Sequence, residues 1–74
     1  MIHFRRFAYI HKTDHERFGL LKAIDYDNAR QHLGSGFRIR QTWLTEDENN
    51  SISFDRERRR QIVESVFAYP PSRP

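Results

Sequence analysis

Asp25–Leu44, DYDNARQHLGSGFRIRQTWL, sets one short helix directly before one strand. Asp25 has the chemistry of an N-cap, because its carboxylate can accept from the free N–H groups of a first helical turn. Asp27 adds favourable negative charge at that end. Tyr26, Ala29 and Leu33 then fall on one face of YDNARQHL, at i, i+3 and i+7. Gly34 and Gly36 stop the helix, since glycine enters the left-handed region without strain. After them the period changes from helical to alternating. Phe37, Ile39 and Trp43 point one way and Arg38, Arg40 and Thr42 the other, with Gln41 the polar residue on the apolar side.

The same logic extends upstream. IHFRRFAYIH at 2–11 reads as an aromatic-rich strand, KTDHER as a polar connection and FGLLKAI at 18–24 as a second strand. A loop of about six residues makes the pair a hairpin. On the first strand His3, Arg5, Phe7 and Tyr9 share one face, while Ile2, Phe4, Ala8 and Ile10 share the other with Arg6. Downstream, TEDENN at 45–50 reads as a turn or exposed loop. SISF at 51–54 reads as a short fourth strand, and Asp55 as a second N-cap. The last helix, DRERRRQIVESVF, runs to about Ala68, and Pro70 and Pro71 end it.

The expected order is therefore ββαββα. This is a small α+β domain over 1–69, with two helices on a mainly antiparallel sheet of three to four strands and a frayed tail at 70–74. Periodicity predicts one core from Leu33, Phe37, Ile39, Trp43, Ile62, Val66 and Phe67. Seventy-four residues hold only a thin core.

Composition removes several function classes. There is no cysteine, hence no disulfide and no thiolate metal ligand. No run approaches the roughly 20 apolar residues of a membrane span, and MIHFRRFAYIHK lacks a signal peptide's apolar stretch, so the expectation is a cytoplasmic protein. His11 and His15 are spaced as H-x3-H, but on a loop rather than the helix that would align them on a metal. No nucleophile motif surrounds Ser51 or Ser53, and no glycine-rich phosphate loop is present. No catalytic residue, metal or cofactor is expected, and the chain reads as a non-enzyme.

What remains is charge. The net charge is +3, and the last helix opens with Arg56, Arg58, Arg59 and Arg60. Cations oppose the helix dipole there, so they do not serve helix stability. Glu46, Asp47 and Glu48 lie shortly before them. One reading makes this a docking surface for a charged protein partner; another has Glu46, Asp47, Glu48, Asp55 and Glu57 neutralise the arginines locally. A third joins the Arg helix to a strand face bearing Arg5, Phe7, Tyr9, Arg38 and Arg40, which would stack bases and hold phosphates if no helix covers the aromatics.

The outline from Phe4 to Leu44, with Asp25-Tyr26-Asp27-Asn28-Ala29 opening a short helix and Gly36-Phe37 opening a strand, resembles the ββαβ core of small phage-encoded inhibitors, such as anti-CRISPR proteins and host RNA polymerase inhibitors. It spans about half the chain. The resemblance implies a compact protein that blocks a larger nucleic-acid-handling protein or nucleoprotein complex by occupying a surface. It carries over no binding residue, because such proteins share no functional motif. The expected partner-binding residues are Arg56, Arg58, Arg59, Arg60, Glu46, Asp47, Glu48, Arg38 and Arg40. The alternative is a small DNA- or RNA-binding module using the Arg helix and the Arg/aromatic strand face.

Overall fold

The computed structural model describes residues 3–68, which form β1 (Arg5–His11), β2 (Phe18–Ala23), α1 (Tyr26–Leu33), β3 (Phe37–Thr42), α2 (Glu46–Ser51) and α3 (Arg56–Ala68). The fold is a small α+β domain of order ββαβαα. Ile2 and the tail at 70–74 lie outside the described residues. The sheet order is β2-β1-β3, antiparallel throughout, with Phe7 opposite Leu21 on one side and Gln41 on the other. Gly19 sits opposite Tyr9, and a Cβ at that glycine would come within 2.5 Å of the Tyr9 hydroxyl, so the ring uses the space a side chain would fill.

Local signals operate as chemistry requires. Asp25 Oδ1 accepts from Asn28 N–H at 2.8 Å and caps α1, while Gly34 and Gly36 take φ of 79° and 94°. The Asp55 carboxylate accepts from Arg58 N–H at 3.0 Å and caps α3.

Strand alternation divides the interior in two. Phe7, Ala23 and Ala29 pack together with Leu21 and Ile39, which places α1 on the odd-numbered face of β1. On the opposite face, Arg38 and Arg40 reach Phe67, Arg40 donates to the Val66 carbonyl at 2.8 Å, and Arg56 and Arg60 lie over Phe18. Helix α3 therefore covers that side, where Ala8, Ile52, Ile62 and Val63 are buried. The sheet is sandwiched between helices.

Three expectations need correction. The single core is two: Phe37 and Ile39 belong with α1, whereas Ile62, Val66 and Phe67 lie across the sheet from them. Trp43 belongs to neither core and is 80 % exposed, because β3 leaves the ladder at Thr42, the partner of Arg6, and alternation beyond that point has no neighbouring strand to act on. The segment 45–54 holds neither a loop throughout nor a fourth strand. Thr45 and Glu48 form a capping box, with Glu48 N–H donating to Thr45 Oγ1 at 3.2 Å and Thr45 N–H to Glu48 Oε1 at 2.8 Å, and this starts α2. Residues 52–54 then turn, and Ile52 is buried under α3 rather than laddered to β3.

Candidate interaction surfaces

The arginine cluster is gathered by the β1–β2 loop. Asp14 Oδ1 accepts from Glu16 N–H at 3.2 Å, and His11 Nδ1 accepts from Asp14 N–H at 3.1 Å, so the turn is held by its own side chains. That turn brings Glu16 to α3, where one carboxylate oxygen receives Arg56 and Arg60 at 3.0 Å each. Both guanidiniums also lie over the Phe18 ring, at 4.7 and 4.9 Å from its centroid. Arg59 donates to the Ile52 carbonyl and closes the turn after α2. Thus Arg56, Arg59 and Arg60 have structural partners, and the neutralising ion pairs run to Glu16, forty residues or more away, rather than to Glu46, Asp47 or Glu48.

The two arginines hold the Glu16 carboxyl below its ordinary range, Arg60 through the stronger hydrogen bond. A depressed folded pKa contributes stability above the unfolded value, and that contribution disappears as pH falls through the folded one. A carbon-detected NMR titration should place the Glu16 midpoint below that of an unperturbed glutamate. Between neutral pH and that acid window, Glu16→Gln should show a smaller loss of stability than the parent protein. Because the pair is exposed, the change at pH 7 should be slight.

The proposed strand face does not exist as one surface. Phe7 is 2 % exposed beneath α1, and register puts Arg38 and Arg40 on the other side of the sheet, over Phe67. Arginine stacked on an aromatic ring supplies apolar cover as well as charge, and here it supplements a thin core.

Arg58 alone of the four helix arginines turns to a different neighbourhood. It lines a groove of about 320 Å³ with Trp43, Leu44, Gln61, Ile62 and Val66. Glu48 lines the same groove, whereas Glu46 and Asp47 are exposed at the start of α2. Trp43 stands at this site largely exposed. The sequence had a signal for it: the next polar residue, Thr45, opens a capping box, which forces the chain out of the strand just after Thr42.

Among the described residues no group of three or more His, Asp and Glu side chains is placed to hold a metal, and no helix is long and apolar enough to cross a membrane. Comparison of the chain with protein families, curated proteins and solved structures finds no match.

Proposed function

We propose that this chain is a small non-enzymatic binding protein that acts in the cytoplasm, docks on a larger nucleic-acid-handling protein and obstructs it by occupying a surface. The observation that carries the reading is the groove where Trp43 lies exposed beside Arg58. Trp and Arg are the residues most enriched among those that dominate binding energy at protein interfaces. Charge defines the occupant: a carboxylate opposite Arg58, and a basic rim opposite Glu46 and Asp47 on α2. Such a rim is the chemistry of a nucleic-acid-binding partner.

The remaining arginines are better explained as packing. Arg56, Arg59, Arg60, Arg38 and Arg40 all touch this chain's own rings, carboxylates or carbonyls.

The test places a photo-crosslinking amino acid at Gln61, in the Trp43 groove, and, as a control, at Asp27 on α1. A partner captured from position 61 and not from 27 is purified and its kinetics measured. Trp43→Ala should weaken it roughly 30-fold, as an interface anchor worth about 2 kcal/mol does. Arg58→Glu should slow association several-fold and leave folding intact. Equal capture at both positions, or kinetics unmoved by both variants, overturns the reading.

A further inference from the structure

On the other flank of α2 lies a second cleft, of about 540 Å³, between β2 and the turn that follows α2. Arg6, Lys22 and Arg59 line it, together with Asn49 and Ser53. A smaller hollow of about 330 Å³ adjoins it through Arg6, Lys22 and Asn49 and adds Phe4, Arg5 and Asn50. The two make one groove with four cations and, among the described residues, no carboxylate in its walls. Glu16 is taken up by Arg56 and Arg60 over Phe18, at one end of the cleft, and Glu48 lines the Trp43 groove.

A second, independent observation is the register. Arg6 and Lys22 are direct cross-strand partners on one face of the sheet. Like charges placed opposite each other destabilise an antiparallel pair. No ion pair to a described residue offsets them; Arg6 has only the neutral Asn49 Oδ1, at 2.7 Å. A local rule broken without compensation inside the fold points to function. Arg6 and Arg59 each use one of five N–H donors on this chain's own carbonyl-type oxygens, so donors remain to meet an anion.

We infer that this groove binds the phosphate backbone of single-stranded nucleic acid, without reading its sequence. Four cations along one groove suit several phosphates rather than one, and its uncharged polar wall residues are the amides of Asn49 and Asn50 and the hydroxyls of Tyr9 and Ser53. Phe4, 65 % exposed in the smaller hollow, offers a ring on which one base can stack. These residues differ from the Trp43 groove, so the inference stands independently of the protein-docking proposal.

The experiment is fluorescence anisotropy of a labelled thymidine dodecamer with the whole chain, between about 50 and 200 mM salt. Contacts to three phosphates predict a log–log salt slope of about −2. Lys22→Gln should weaken binding several-fold and reduce the slope by about 0.7. The same substitution removes the like-charge opposition, so its melting temperature should stay level or rise. Binding and stability moving in opposite directions excludes a variant that merely unfolds. Arg6→Gln should reproduce the binding loss, while Lys12→Gln in the β1–β2 loop and Trp43→Ala should not. Absence of binding at the lowest salt, an equal loss with Lys12→Gln, tighter binding of the duplex of the same sequence, or equal competition by polyglutamate would each overturn the inference.

Discussion

Phe7→Ala should remove a large part of the protein's folding stability, about 3–5 kcal/mol, and shift its urea midpoint far below the parent's. The ring is 2 % exposed at the middle of the central strand, packed on Ala23 and Ala29 with Leu21 and Ile39 around it. Truncating a buried phenylalanine costs about 3–5 kcal/mol. A chain of this length is stable by only about 4–11 kcal/mol in all. Two of its neighbours are alanines, which cannot move side chains into the void, so the upper part of that range applies. Urea unfolding followed by circular dichroism is the right measurement. Trp43 emission would report little, because that indole is solvated in the folded state. Phe54→Ala, at a ring 79 % exposed, should stay within about 0.5 kcal/mol of the parent. Similar midpoints for the two variants would refute the placement of the α1-side core.

Ile52→Ala should have the second-largest effect, about 2–5 kcal/mol, with part of its consequence confined to one element. Helix α2 buries none of its own six residues. Ile52, at its C-cap and 5 % exposed, anchors it, helped by the Arg59 bond to the Ile52 carbonyl and the Asn49 bond to Arg6. An α2 without that side chain retains its capping box and those two hydrogen bonds but no buried apolar anchor. Hydrogen exchange should show α2 amides losing protection more than those of β1. Uniform loss across the chain would mean that Ile52 serves the global core and not α2.

Local chemistry was legible in the sequence where one residue type decides one geometry. Asp25, Gly34, Gly36 and Asp55 act where their side chains, or the lack of one, require it. The small α+β class and the hairpin followed from period and spacing. What failed was continuation. Alternation carried Trp43 inward past the last ladder residue, because a period cannot reveal where a partner strand stops. The Thr45–Glu48 capping box was present, yet the polar run TEDENN reads as loop when no apolar stripe marks a helix. Both alternate faces of each strand were available to α3, and only the tertiary arrangement selects one, so Ile62 and Ile39 were assigned to one core when the sheet separates them. Glu16 was illegible as the partner of Arg56 and Arg60, since nothing local connects positions forty residues apart. The groove of Arg6 and Lys22 was hidden for the same reason: the opposition arises from register.

The strand at the centre of the sheet is also the first one synthesised. At about 5–20 residues per second, β3 is complete roughly 2–6 s after β1, and α3 roughly 3–11 s after it. The β1–β2 hairpin can close within about 10 µs, but two strands alone are marginal in water. On the ribosome, then, Phe7 and its hairpin wait for seconds without helices on either face and with one edge of β1 open. Arg5 and Arg6 directly precede Phe7, and Arg38 and Arg40 interrupt Phe37 and Ile39 on the strand that arrives next. Charges set among apolar strand residues keep unfinished sheets from pairing with one another. Arg5 and Arg6, set beside Phe7 before either later strand partner is made, are placed to oppose such pairing until the third strand arrives.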